Sequence, residues 1–337
     1  MIEFGSDFHY IEPQGSGDNT LQDFFSSANY YADGRQALID LYRSQGWQRL
    51  WVPEYFCYDV LASLREAGLE LESYTDYPGN DDTFNLGFRT GDALLRVNYF
   101  GMRGYRSTEK LMVPVVEDHT HNLIGDWVLS STADWCIASL RKSLPVPEGG
   151  ILWSPVGLKL PNAPVASEEN EKIAAIRWVA MKLKARYLAG EDVEKAAFRA
   201  GFVDTEDFFD RADVCALDTE SQNFLQSFDI RDWYNRKWEN WELLRDIKKD
   251  GVRVLQPESR GGYPFSLILV FMTGEERDRV RKALIERQIY PAILWNVPET
   301  SDGEVFKISR GMLSIHCDAR YTKEEILQMK SIIESIL

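Results

Sequence analysis

The sequence predicts an α/β protein in two parts: a large domain over residues 1–228, with a mostly parallel mixed sheet between helices, and a smaller C-terminal α+β domain over residues 229–337. Three observations predict this. Up to about residue 160, short β-rich runs alternate with helical stretches, the pattern of strands joined by crossover helices. A long, charged helical stretch from Ser167 to about Phe209 then interrupts the alternation. After residue 247 strands and helices alternate again, over a length that suits a compact second domain. With 337 residues, 44% of them hydrophobic, the chain can bury one large core and a smaller one.

The elements follow in order. Arg35 to Arg43 reads as a helix because Ala37, Leu38 and Leu41 recur on one face. Leu50 to Pro53 is a short strand, and Val60 to Ala67 is a helix with Leu61, Leu64 and Ala67 aligned. Strands are expected at Leu69–Tyr74, at Leu94–Phe100 (stopped by Gly101), at Leu111–Val116, around Trp135 and at Ile151–Trp153. Ile173, Ile176, Ala180, Leu183 and Tyr187 mark the long helix, punctuated by Gly190. Trp233 to Ile247 is a further helix. The last third reads as strands at Val252–Leu255, Phe265–Met272, Tyr290–Leu294 and Met312–Ile315, with helices at Glu275–Arg287 and Thr322–Leu337.

The formal charge is −15, which repels phosphate backbones and excludes nucleic acid as an expected partner. Cys57, Cys136, Cys215 and Cys317 form no C-x-x-C pair, as expected of reduced thiols in a cytoplasmic protein. The acidic N-terminus lacks a long apolar run, so no signal peptide is expected. The longest apolar stretch, Leu267–Met272, is strand-sized, so no membrane span is expected.

The chemistry concentrates around Lys142. An apolar run ends in Glu117-Asp118-His119-Thr120-His121; a second runs through Ile137-Ala138-Ser139-Leu140-Arg141 into Lys142, seven residues before Gly149. In open parallel sheets ligands sit beyond the carboxyl ends of strands. A lysine there suits pyridoxal 5′-phosphate, forming an imine with its aldehyde, and an aspartate pairs with the pyridine nitrogen. The catalytic candidates are thus Lys142 and Asp118. Gly149-Gly150 suggests a close backbone approach. Gly34 and Arg35 open a helix whose free N–H groups suit a phosphate, although Asp33-Gly34 also reads as an ordinary cap and turn. Ser139 and Arg141 are further phosphate candidates, and His121 is placed to contact the cofactor ring or its 3′ oxygen. No resident metal is expected. A competing reading takes Asp118, His119 and His121 as a metal cluster, with His316-Cys317-Asp318 in reserve.

These residues carry a resemblance to the DegT/StrS-type sugar aminotransferases, pyridoxal-phosphate enzymes of the aspartate aminotransferase fold. Asp33-Gly34-Arg35-Gln36-Ala37-Leu38 resembles their Ser-Gly-Thr-x-Ala-Leu turn, and Val52-Pro53-Glu54-Tyr55-Phe56 their Val-Pro-x-Tyr-Thr segment. Val97-Asn98-Tyr99-Phe100-Gly101 is similar to their Val-His-Leu-Tyr-Gly, and Val116 to His121 to their Ile-Glu-Asp-Ala-Ala-His. Lys142 through Glu148-Gly149-Gly150 resembles their Lys…Gly-Glu-Gly-Gly. The chain departs from the pattern in three places. Helix 170–188 and the segment after it lack the usual Asn-Tyr-Arg-Met, to which Gln222-Asn223-Phe224 is only a faint counterpart. Ile137 to Arg141 replaces the usual Ser-Phe-His-Pro-Thr, and Cys57 stands where a stacking ring is usual, leaving Phe56 or Tyr55 to stack. The resemblance implies an aminotransferase using a glutamate-like amino donor and a keto-sugar nucleotide acceptor, in polysaccharide or secondary-metabolite synthesis. It also implies a homodimer. Two alternatives stay open: another reaction on the same cofactor, such as a sugar dehydration or an amino-acid reaction, and a non-catalytic or metal-dependent protein on the same fold.

Overall fold

The computed structural model describes residues 2–13, 18–80, 86–210, 213–259 and 261–337. Strands β1 to β6 are Phe4–Gly5, Asn29–Tyr31, Arg49–Pro53, Leu71–Tyr74, Asp92–Val97 and Val115–Asp118. Strands β7 to β12 are Trp135–Ser139, Gly150–Trp153, Val252–Val254, Leu267–Phe271, Ile289–Tyr290 and Met312–Ile315. Helices α1 to α6 are Leu21–Phe24, Gly34–Gln45, Tyr58–Glu66, Asp126–Ser130, Leu140–Ser143 and Glu168–Leu188. Helices α7 to α12 are Lys195–Val203, Thr219–Leu225, Ile230–Glu242, Gly274–Glu286, Gly303–Gly311 and Lys323–Ile336. No helix among the described residues is long and apolar enough to cross a membrane.

The main sheet has seven strands in the order β2-β8-β7-β6-β5-β3-β4. Strands β7, β6, β5, β3 and β4 pair in parallel, and only β8 runs against the rest. Strands β5, β7 and β8 are buried along their whole length, as strands covered on both faces must be. Alternate residues serve two cores. Val116, Ile137 and Leu152 join a cluster with Leu38, Phe56 and Val97, while Val115, Cys136, Ala138 and Ile151 join one with Trp178 and Phe224. This alternation decides which side chains of the strand ends reach which face.

A second sheet, β12-β10-β9, is antiparallel and packs with α10 and α12 around a third core. The first residues of the chain contribute to it. Phe4–Gly5 pairs in parallel with Ile289–Tyr290, and Phe4 lies in the same core as Leu267 and Ile326. Helix α9 spans two cores, with Ile230, Trp233 and Tyr234 in one and Trp241 in the other.

Several elements differ from the sequence expectation. The strand expected from Leu111 begins only at Val115, because Pro114 precedes it and Met112 is exposed. The strand expected to reach Phe100 ends at Val97, and Tyr99–Gly101 forms a 3₁₀ turn with Phe100 in the left-handed region. The run into Lys142 stops at Ser139, which places the lysine in the short helical turn α5. The strand expected over Tyr290–Leu294 is confined to Ile289–Tyr290. Strand β2 had no periodicity to reveal it; it is three residues long and is defined by its pairing with β8.

Candidate functional site

One cavity lies at the carboxyl edge of the main sheet. Its lining includes Asp33, Gly34, Arg35, Phe56, Cys57, Asp118, Thr120, His121, Ser139, Arg141 and Lys142. The cofactor candidates Gly34, Arg35, Phe56, Asp118, His121, Ser139, Arg141 and Lys142 are therefore on one surface, and the topology explains why. Asp33 and Gly34 follow β2, Phe56 follows β3, Asp118 ends β6, and Lys142 follows β7. Because β8 is reversed, its first residue, Gly150, lies at this same edge.

Asp118 reaches the cavity because it shares a sheet face with Val116, whereas Glu117 falls on the other face. Its Oδ1 accepts from the Thr120 backbone N–H at 2.9 Å. Burial, and to a lesser degree Asp33, raises its pKa above the ordinary carboxylate value, against the Thr120 hydrogen bonds. That direction marks a carboxyl with no strong cationic partner of its own. A protonated ring nitrogen would supply one.

Lys142 is exposed by surface area, yet protein surrounds it, so its exposure is to the cavity. The neighbouring Arg141 charge, then burial, push its pKa down to about 8. No hydrogen bond or ion pair engages its ammonium group among the described residues. An amine in this state is available as a nucleophile near neutral pH.

The phosphate candidates surround the start of α2. Asp33 caps that helix, accepting from Arg35 N at 2.7 Å. Ser139 faces Gly34 so closely that a Cβ at Gly34 would lie 3.0 Å from Ser139 N. The Ser139 hydroxyl is buried with no partner. Arg35 donates to Ser63 at 2.8 Å and Asp210 at 2.6 Å, and Arg141 donates to Glu206 at 2.9 Å. The Nε of each arginine lacks a hydrogen bond. The arginines are nearly buried, but Asp210 and Glu206 have side chains 59% and 51% exposed. Such rim carboxylates bind weakly enough to turn outward when a competing anion arrives. A helix N-terminus, an orphaned hydroxyl and two guanidinium groups with unused donors fit a phosphate. Asp118 and Lys142 fit the ring and aldehyde of the same cofactor.

The ring-stacking candidate resolves in favour of Phe56. It lines the cavity, while Tyr55 is fully buried behind it and donates its hydroxyl to the Leu294 carbonyl. His121 is flanked by Trp295, with ring centroids 5.6 Å apart, and by Phe265 at 4.4 Å. Trp295, Phe265 and Leu294 line the cavity and were not among the site candidates read from the sequence. They come from a segment more than a hundred residues downstream, and aromatic residues between short strands carry no local sign of a site.

The metal reading separates in space. His119 lies with Glu117, its Nε2 3.1 Å from Oε2, and Ser131 and Cys136 approach the same carboxylate. Among the described residues the metal-type grouping that forms is Glu117, His119 and Cys136, away from Asp118 and His121. Asn98 Nδ2 lies 3.3 Å from His119 Nδ1. With Asn98 donating, His119 carries its proton on Nε2 and donates it to Glu117, which makes the group a hydrogen-bonded network. His316 lies instead 3.8 Å from Asp318, beside a neighbouring cavity.

No family model matches the chain, and no curated protein matches it in sequence. Solved structures do match in fold. The aminotransferase TlmJ from Streptoalloteichus hindustanus is 12% identical, with a TM-score of 0.65 over 99% of this chain and 98% of its own. PseC of Helicobacter pylori, an aminotransferase involved in pseudoaminic acid biosynthesis, is 13% identical, with a TM-score of 0.63 over 99% of both chains. Spr1654 of Streptococcus pneumoniae in its PLP form, described as a sugar aminotransferase, is 11% identical, with a TM-score of 0.61 over the whole of both chains. At this identity the likeness is one of fold, and it extends along the entire chain.

Proposed function

We propose that this chain is a pyridoxal-phosphate-dependent aminotransferase of the DegT/StrS type. It takes an amino group from a glutamate-like donor and passes it to a keto-sugar nucleotide in polysaccharide or secondary-metabolite synthesis. The observation that carries the reading is the pairing of Asp118 and Lys142 across one cavity, from the ends of adjacent parallel strands β6 and β7. Fold-level likeness to aminotransferases supports it, and one of those structures holds PLP and PMP in separate forms. The reading includes a cytoplasmic homodimer in which residues 1–228 hold the cofactor and residues 229–337 form the smaller domain.

Pyridoxal phosphate, when bound, supplies an electron sink that stabilises a carbanion at the amino-bearing carbon. Each of the chain's residues then has a definable task. Lys142, with its pKa at about 8, would hold the aldehyde carbon through Nζ, and the same atom would carry a proton as base and then acid. Asp118 holds a proton on the ring nitrogen through its otherwise unpaired charge. Gly34, Ser139, Arg35 and Arg141 bind the phosphate. Phe56 and His121 orient the ring, and the apolar wall of Val97, Ile137, Phe265 and Leu294 excludes water.

The test is reconstitution. Protein loaded with pyridoxal phosphate should be yellow, and glutamate should bleach it. Borohydride reduction and peptide mapping should then place the adduct on Lys142. The mapping discriminates, because Lys184 and Lys237 are also buried with pKa values lowered to about 8. An adduct on either would overturn the assignment, and a colourless protein would overturn the cofactor.

A further inference from the structure

Phe100 is an apolar residue, 1% exposed, held at φ 55° and ψ 17°. A residue with a Cβ rarely adopts this left-handed conformation, and one buried beside a functional cavity invites a physical explanation. The surroundings over-determine it. Arg103 grips Asp76 with both terminal nitrogens, at 2.9 and 2.5 Å, and its backbone N–H donates to Asn98 Oδ1 at 3.3 Å. Gly101 continues the turn at φ 67°, and a Cβ there would lie 2.5 Å from the Tyr263 carbonyl oxygen. Both backbone groups of Phe100 are used. Its carbonyl accepts from Phe265 N at 2.7 Å, and its N–H donates to His121 Nδ1 at 3.1 Å.

The second bond has a chemical consequence for His121. A nitrogen that accepts from a backbone N–H cannot itself carry a proton. Burial, then the charges of Lys237 and Lys142, hold the His121 pKa down at about 3, so the ring is neutral and has one proton to place. The opposite tautomer would set two N–H donors against each other and strand a buried backbone group. The proton therefore belongs on Nε2. His121 lines the cavity, and its Nε2 has no protein partner among the described residues.

We propose that the left-handed turn at Phe100 is a positioning device that fixes His121 as the Nε2–H tautomer, making the imidazole a permanent hydrogen-bond donor into the cavity. The group selected is an oxygen with no proton of its own, of the phenolate or carboxylate class. The identity of that oxygen rests on the cofactor reading given above. The tautomer does not.

The experiment therefore begins with cofactor-free protein labelled with ¹⁵N-histidine. Nitrogen–proton correlation spectra should show His121 protonated at Nε2 alone, with Nδ1 as acceptor. Phe100→Gly removes the ring but keeps the N–H and tolerates a positive φ. Phe100→Val removes the ring and disfavours that φ. The glycine variant should keep the single tautomer, and the valine variant should show a mixture. An Nδ1–H tautomer in the wild type, or the same single tautomer in both variants, overturns the proposal. If the valine variant does not fold, His121 itself supplies a second comparison. His121→Gln retains a donor near the Nε2 position, while His121→Asn can set its amide oxygen near Nδ1 but is too short to place a donor at Nε2. Titrated with pyridoxal phosphate, the glutamine variant should bind like wild type. The asparagine variant should bind about tenfold more weakly, the loss of one charge-assisted hydrogen bond. Equal affinities would overturn the donor role. If the wild type binds no pyridoxal phosphate, it is the cofactor reading that fails, and the tautomer spectra still decide this one.

Discussion

A Cβ placed on Gly150 would lie 2.3 Å from the backbone oxygen of Asp33. The contact joins the first residue of β8 to the cap of α2, and it holds because Gly149 N donates to Ala32 O at 2.7 Å and Leu140 N donates to Gly149 O at 2.7 Å. The Gly149-Gly150 step thus clamps the phosphate turn on one side and the Lys142 turn on the other. Gly150→Ala should push the two apart. Overpacking against backbone has no side chain to yield, so a loss of about 3 kcal/mol is expected. Urea unfolding measures it, alongside cofactor titration. A variant as stable as wild type would mean that the turn can move freely.

Asp118→Asn should leave the fold intact, since the Asp118 carboxylate is raised by burial and contributes no strong ion pair. Cofactor should still bind through Lys142 and the phosphate cradle. Half-reaction rates should fall by roughly 10²–10³, the scale of removing one preorganised electrostatic partner. Stopped-flow absorbance with glutamate tests this; rates near wild type would assign the ring nitrogen to another group.

Arg35→Ala or Arg141→Ala should weaken cofactor binding by roughly tenfold or more, and Ser139→Ala by less. The ion pairs add a second expectation. Glu206 holds Arg141 at 2.9 Å and also reaches Arg177 at 3.1 Å. Glu206→Gln removes the competing anion, so it should tighten binding of pyridoxal phosphate while leaving binding of pyridoxal, which lacks the phosphate, unchanged. Fluorescence titration with both ligands separates the effects. If neither arginine variant changes affinity, the α2 N-terminus must hold the phosphate unaided.

Glu148 precedes the glycine step and meets Asp218 in the interior, 0% and 2% exposed. Glu148 Oε1 accepts from Asp218 N at 2.9 Å, while Glu148 Oε2 and Asp218 Oδ2 lack partners. Burial first, then Asp218, raises the Glu148 pKa well above its ordinary 4.5. The neutral form is thus the one the fold favours. The linked stability is complete below the unfolded-state value and is lost as pH rises toward and through the raised folded-state value. Wild-type stability should therefore decline as pH rises above the ordinary carboxylate range, and Glu148→Gln should flatten that decline. Denaturation curves across this range measure the slope; equal slopes would show that Glu148 does not titrate with folding.

Much of the site was legible because its signals are local. Asp118 and Lys142 each follow a buried run, and a strand's two-residue period already assigns Asp118 and Glu117 to opposite faces. The Arg35 helix was marked by the spacing of Ala37, Leu38 and Leu41, and the glycine pair by its two adjacent glycines. Strand ends were read less well where the last residues leave the sheet, as at Val97 and Ser139, because apolar character continues into the turn.

By itself the sequence determined the α/β alternation, the acidic surface and the residues that end the strands, since each reflects the burial of a residue and its immediate neighbours. Only the tertiary structure decided what those residues face. The reversal of β8 brings Gly150 against Asp33. The return of the chain brings Phe265 and Trp295 onto His121. The segment around Glu206 and Asp210 engages the two arginines, and Phe4–Gly5 joins β11 nearly three hundred residues away. These contacts depend on how whole elements cross and pack, and no periodicity in a local stretch of chain records its distant partner.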